Sequence, residues 1–246
     1  MKILAAAETN VGRLRGNNED NFYINGVYKE DTQQTICGHA SECTEGVQVF
    51  SVCDGIGGVD AGEVASLLAV EELARAQKEN PDTDVRDYVA RANDRVCRKV
   101  SESGGLRMGS TIVLMTINGS EATICNVGDS RGYLLREGEL MKLTVDHVRK
   151  RGLEGPARSH VLTQFLGVFP EEFILEPHVE RMEIRSGDVF LLCSDGLTDM
   201  AGDEEIHESI MANAANPPEI IAKQLVKAAI KNGGRDNVTV LIVKVI

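Results

Sequence analysis

The 246-residue chain has no tryptophan, only 6 Phe and 4 Tyr, and fewer cationic than anionic side chains, 26 Lys plus Arg against 38 Asp plus Glu. The net charge of −12 argues against a protein that neutralises nucleic-acid phosphates with a basic surface, and the shortage of aromatic rings removes the stacking platforms that single strands use. Anionic membrane surfaces are disfavoured by the same charge. Long apolar runs are also missing. Met1-Lys2-Ile3-Leu4-Ala5-Ala6-Ala7 meets Glu8 before it could form a signal core or a span, and the longest later apolar stretch, Val189 to Cys193, is strand-sized. A cytoplasmic location is therefore expected. The six cysteines are scattered, which suits reduced thiols better than a disulfide framework. Cys37, His39 and Cys43 lie close together in a loop-like stretch, but no second ligand pair at zinc-finger spacing follows. No Pro/Ser-rich linker, low-complexity tract or repeat divides the chain, so residues 1–246 are expected to form one domain.

What is present reads as strands flanking a helical pair. The initial apolar run and Val47 to Cys53 are strands, and Asn18-Glu19-Asp20 opens another. Glu63 to Lys78 carries Val64, Leu67, Leu68 and Leu73 at helical spacing, and Val85 to Glu102 makes an adjacent, antiparallel helix. Strands follow at Thr111 to Asn118, Ala122 to Val127 and Arg131 to Leu143, the last folded into a hairpin at Glu137-Gly138. A helix starts near Asn216-Pro217, with Pro217 at its first position and Ile221, Leu225, Ala228 and Ala229 on one face. Gly233-Gly234 stops it before a last strand, Val238 to Ile246. Such an order predicts two sheets packed together with helices outside.

Short acidic units stand where strands give way to turns: Asn18-Glu19-Asp20, Asp54-Gly55-Ile56-Gly57-Gly58, Asp195-Gly196 and Asp236-Asn237. Each offers a hard oxygen ligand at a rigid strand end, and glycine lets backbone approach an ion. Carboxylates that converge without cationic partners repel each other unless a metal neutralises them. Oxygen-only ligands favour Mg²⁺ or Mn²⁺ over Zn²⁺. Any one Asp-Gly unit alone reads first as a plain turn.

Taken together and in order, these units resemble the motifs of the metal-dependent serine/threonine protein phosphatases, the PPM or type 2C family. The resemblance rests on Gly12-Arg13-Leu14-Arg15 with Asn18-Glu19-Asp20, on Asp54 to Gly58, on Gly109-Ser110-Thr111, on Gly128-Asp129-Ser130-Arg131, on Leu143 to His147, on Ser194 to Leu197, and on Gly234 to Val240. It implies an α+β fold, a four-layer α/β/β/α sandwich of two mostly antiparallel sheets flanked by helix pairs. It also implies two Mn²⁺ or Mg²⁺ ions, with Asp54 bridging both, the Gly55 carbonyl binding one, and Asp195 and Asp236 binding the other. Asp20 would bind directly or through water with Glu19 supporting it, and Arg15 would grip the substrate phosphate. The implied reaction is hydrolysis of phosphoserine and phosphothreonine by a metal-activated water, without a covalent phosphoenzyme. Substrates would be phosphorylated proteins made by a Ser/Thr kinase, and a monomer is expected.

Around this core, Ser110 and Thr111 are expected to pack and to bond backbone, Asn237 to orient Asp236 through its amide, and Asp129 and Arg131 to form an ion pair or strand-end hydrogen bonds. Three departures stand out. Ile56 occupies a position where some relatives carry a histidine general acid, which points to a bacterial-type member. Gly104 to Met108 holds no carboxylate, so a third ion is expected to bind weakly. The flap segment near residues 148–164 is short and basic through Arg149, Lys150, Arg151 and Arg158, and reads either as a cationic lip that attracts acidic substrate segments or as a plain solvated loop. The alternative reading is a weakly active regulatory or binding module on the same fold; the intact set of acids and Arg15 favours an enzyme.

Overall fold

The computed structural model describes residues 1–43, 46–56, 61–104, 106–150 and 160–246. The first half contains β1 (Ile3–Asn10), β2 (Asn21–Ile24), β3 (Val27–Tyr28), β4 (Ile36–Cys43), β5 (Gln48–Cys53), β6 (Gly55–Ile56), α1 (Gly62–Glu79) and α2 (Val85–Glu102). Then come β7 (Gly109–Ser110), β8 (Ile112–Asn118), β9 (Glu121–Val127), β10 (Arg131–Arg136), β11 (Glu139–Lys142), β12 (Val148–Lys150), β13 (His160–Leu162), β14 (His178–Glu183) and β15 (Val189–Cys193). The chain closes with α3 (Asp195–Thr198), α4 (Asp203–Asn213), α5 (Pro218–Lys231) and β16 (Val238–Val245).

Two six-stranded antiparallel sheets dominate, one ordered β11-β10-β15-β16-β1-β4 and the other β14-β9-β8-β5-β2-β3. Because each central strand is covered on both faces, apolar residues run continuously along it instead of alternating with polar ones. In β15, Phe190 and Leu192 enter the core between the sheets, while Val189, Leu191 and Cys193 face the α4–α5 layer. In β5, Phe50 and Val52 point inward, and Val49 and Cys53 pack under α1 and α2. Each fully buried side chain of this size contributes about 1.5–3 kcal/mol. The outcome is the expected α/β/β/α sandwich.

Local signals set the helices. The Asp84 carboxylate accepts the Arg86 N–H at 2.9 Å and caps α2. Glu72 and Glu79 of α1 meet Arg91 of α2 at 2.8 and 2.6 Å, and Glu71 reaches Arg95, the order of pairs that antiparallel helices give. In α5 the start lies one residue beyond the sequence reading. Pro217 is the N-cap, and Pro218 takes the first helical position. The stretch holding Cys37, His39 and Cys43 is not a loop. It is the edge strand β4, paired with β1 from Ile3↔Cys43 to Asn10↔Ile36. Its alternation is masked by small and polar residues on one face, whereas Cys37 and Cys43 lie against the inter-sheet core. Glu137 and Gly138 both adopt positive φ, 53° and 86°, in the hairpin turn between β10 and β11. Among the described residues no helix is long and apolar enough to cross a membrane.

Candidate metal centre

Antiparallel pairing carries the acidic units to one end of the sandwich. Asp20 precedes β2 and Asp54 follows β5, whose ends pair as Asn21↔Cys53. Asp195 follows β15 and Asp236 stands just before β16, with Cys193 opposite Val240. Asp129 sits in the turn between β9 and β10. Residues up to 216 positions apart thereby converge, Asp20 and Asp236 being the most distant.

Asp20 is fully buried, and its Oδ2 accepts hydrogen bonds from the Ser194 and Thr239 hydroxyls at 2.8 and 2.7 Å. Its Oδ1 is buried with no hydrogen-bond partner, an orphan that burial penalises heavily. Burial first, and then the charge of Asp236, push this carboxyl up to about 6 despite the two hydroxyls. Asp54 and Asp195 are raised well above the ordinary carboxylate range. Burial comes first for both, followed by Asp20 and Asp195 for Asp54, and by Asp129 and Asp236 for Asp195. Burial also lifts Asp129 to about 6. Among the described residues only one of these five acids, Asp236, has an ion-pair partner: Arg15, at 2.6 Å. Lys29, almost wholly buried, donates from Nζ to the Asn18 carbonyl at 2.6 Å, and burial holds its ammonium below the ordinary lysine range.

This chemistry fits divalent cations. Several buried carboxylates repel one another, a buried oxygen lacks a donor, and hard oxygen ligands predominate. Among the described residues no three His, Cys, Asp or Glu side chains stand close enough together to hold an ion by themselves.

Backbone contacts hold the ligand-bearing turns. The Asp54 N–H donates to Thr111 Oγ1 at 3.1 Å, and the Asp54 carbonyl accepts from the Thr111 N–H and the Ser110 hydroxyl, which is the backbone role expected of Ser110 and Thr111. A Cβ on Gly55 would collide with the Gly62 carbonyl, and one on Gly196 with the Asn237 carbonyl, so both must be glycine. Glu19 contributes through its backbone. Its N–H donates to Asn237 Oδ1 at 2.8 Å, and its carbonyl accepts from the Ser66 hydroxyl at 2.6 Å. Among the described residues its carboxylate makes no hydrogen bond to Asp20.

Two expectations change. Asn237 does hold Asp236 at 2.8 Å, but through its backbone N–H, while its side-chain amide donates to the Val11 and Asn17 carbonyls. Arg131 pairs with Asp146, not with Asp129: its Nε and Nη2 grip that carboxylate at 3.1 and 2.7 Å. Against the burial that would lift it, the Arg131 fork holds Asp146 below the ordinary range. Asp129 is left free to join the acidic cluster. The motif Gly128-Asp129-Ser130-Arg131 marks it in the sequence; Lys29, inside the charged run Tyr28-Lys29-Glu30-Asp31, has no such signal. Gly57 and Gly58, and the flap residues Arg151 and Arg158, lie outside the described residues. At the flap's ends β12 and β13 pair, and His147 Nδ1 accepts the Gly128 N–H at 3.1 Å.

Comparison with known proteins agrees with this geometry. The family model described as Stage II sporulation protein E (SpoIIE) matches residues 44–246. The chain is 34% identical over 98% of its length to the serine/threonine protein phosphatase PstP of Mycobacterium tuberculosis, of which it spans 45%. It is 32% identical to the serine/threonine phosphatase stp of Listeria monocytogenes, with 98% of this chain and 95% of that protein covered. The crystal structure of M. tuberculosis PstP superposes with a TM-score of 0.79 at 30% identity, covering 100% of this chain and 99% of that one. A PstP catalytic-domain structure in complex with two manganese ions gives 0.77 at 31% identity, covering 99% of each chain. With a sandwich that gathers five acids at one sheet end and relatives that align along nearly all of it, the chain belongs to the metal-dependent serine/threonine protein phosphatase family.

Proposed function

We propose that this chain hydrolyses phosphoserine and phosphothreonine monoesters on proteins, using two Mn²⁺ or Mg²⁺ ions. The observation that carries the reading is the cluster of Asp20, Asp54, Asp195 and Asp236, of which, among the described residues, Asp236 alone has an ion-pair partner, so most of the charge is left uncompensated. Asp54, the Gly55 carbonyl, Asp195 and Asp236 would hold the ions, and Asp20 would support them directly or through water. When bound, the ions supply charge neutralisation and an acidified water at neutral pH.

The protein's own groups do the rest. Ser194 and Thr239 hold Asp20 Oδ2, leaving Oδ1 as its free acceptor. Arg15, half exposed beside Asp236, presents a planar fork suited to two oxygens of a tetrahedral phosphate. Glu19 and Asn237 keep the Arg15 loop and the Asp236 turn in one rigid unit. Ile56 carries no proton to give, so the leaving oxygen takes its proton from another source. The whole of residues 1–246 acts as one domain, opposite a Ser/Thr kinase, and its six free thiols suit a reducing cytoplasm.

Hydrolysis of p-nitrophenyl phosphate and of a phosphothreonine peptide tests the reading. Activity is expected with Mn²⁺, none with EDTA, and a loss of at least about 10²-fold in Asp54→Asn, in line with removal of a group acting on the transition state. Inactivity of the wild type in every metal, or full activity of Asp54→Asn, refutes it.

A further inference from the structure

Beside the acidic cluster stands a short loop of the opposite charge. Gly12 has φ +81°, and a Cβ on it would collide with the Asp236 carbonyl, so the loop lies directly against the Asp236 turn. The Gly12 N–H donates to Asn10 Oδ1 at 2.9 Å, and the Arg13 N–H donates to the Gly234 carbonyl at 2.7 Å. Asn237 then ties both ends through the Val11 and Asn17 carbonyls, at 3.0 and 2.8 Å. A loop fastened at so many points is rigid, yet its tip residue Leu14 is 73% exposed.

The same fastening fixes two arginines. The Arg13 stem lies over Gly234, its Cγ only 2.9 Å from where a Cβ there would stand, and Arg235 follows on the same turn, its Cγ 3.8 Å from the corresponding point on Gly233. Both are exposed, and among the described residues neither has an ion pair. A chain of net charge −12 thus places two unpaired arginines and a bare leucine on touching loops, next to Arg15. Lone exposed leucines are common on surfaces. This one is held on a preorganised backbone between cations, so little entropy is lost when a ligand settles on it.

We propose that the Gly12–Gly16 loop together with Arg235 forms a substrate-reading lip, which binds a phosphopeptide carrying acidic side chains and an apolar one near its phosphorylated residue. Arg13 and Arg235 pair with the acidic side chains, and Leu14 covers the apolar one. The proposal rests on the reading of Arg15 as the phosphate ligand, and it adds which peptides reach that arginine.

The test compares kcat/KM with Mn²⁺ for an acidic phosphothreonine peptide, for the same peptide with its acids replaced by lysine, and for p-nitrophenyl phosphate. Wild type prefers the acidic peptide. In Arg13→Glu/Arg235→Glu the acidic-to-basic ratio falls by about tenfold or more, the scale of two reversed surface pairs, while p-nitrophenyl phosphate stays within about twofold. Leu14→Ser raises KM for an acidic peptide with an apolar neighbour by about fivefold at unchanged kcat. A ratio equal to wild type, or equal losses on peptides and p-nitrophenyl phosphate, overturns the lip and leaves the phosphatase reading standing. A wild type that cleaves none of the three overturns both.

Discussion

Acidification should stabilise the metal-free protein, and Asp20 allows the effect to be isolated. Its carboxyl is lifted from 3.8 to about 6 by burial. A carboxyl whose folded value is raised binds more protons in the native state, so its stabilisation is complete below the unfolded value and is lost as pH rises through 6. Between pH 7.5 and 5.5, linkage gives a gain of about 0.8 kcal/mol for this one group. Asp129, lifted to about 6 by burial, adds a similar amount, and Asp54 and Asp195 act in the same direction. His147 opposes them, because burial and then His178 hold its imidazole low and charging it on acidification costs stability. Comparing wild type with Asp20→Asn in EDTA removes that shared contribution. Wild type should gain about 2–3 °C more in Tm than the variant between pH 7.5 and 5.5. At pH 7.5 in EDTA, Asp20→Asn should be the more stable protein by up to about 3 kcal/mol, the cost of ionising Asp20 where it lies. Mn²⁺ at 100 times its Kd should raise wild-type stability by about 2.7 kcal/mol, and less at pH 5.5, where protons compete for the ligands. Equal pH slopes for the two proteins, or a less stable Asp20→Asn at pH 7.5 in EDTA, would refute the argument.

Two further substitutions probe the scaffold. Gly196→Ala should cost about 2 kcal/mol or more, read as a Tm lower by about 4–8 °C, because its Cβ would force the Asn237 carbonyl away and with it the Asp195 and Asp236 turns. Arg131→Ala should cost about 1–2 kcal/mol in urea denaturation, by leaving the half-buried Asp146 with Lys142 alone, at 3.2 Å, and by taking one of two partners from the Tyr133 hydroxyl, which still donates to Asp203. Arg131→Lys should recover less than half of that loss, since an ammonium cannot reproduce the two-pronged grip.

The elements that were legible in the sequence are those whose pattern is local. Val85 to Glu102 was bounded correctly because Asp84 caps it and Val85, Tyr88, Val89, Ala92 and Val96 repeat at helical spacing. The Glu137-Gly138 turn follows from Gly138, the residue there able to take positive φ at low cost. By contrast, α4 has only Ile206 and Ile210 as buried residues, too thin a stripe to announce a helix, and β14 is an edge strand with no fully buried side chain. Strand β4 was hidden for the same reason, since its partner β1 supplies the hydrogen bonds that its own composition does not advertise.

At the site, residue types at strand ends marked the acidic units as hard oxygen ligands, and the order of the motifs, through their resemblance to the phosphatase family, nominated Asp20, Asp54, Asp195 and Asp236 as ligands and Arg15 as the phosphate grip. Pairing was another matter. That Arg131 holds Asp146, that Asp129 faces Asp195, that Lys29 is buried behind Asn18, and that Arg13 and Arg235 share one rim all depend on strands and turns distant in sequence. Charge, composition and motif order are properties of the chain itself, and they determined the family and the chemistry available. Which charge neutralises which, and how strongly, is set by distance and by exclusion of water, and both exist only once the two sheets have closed on each other.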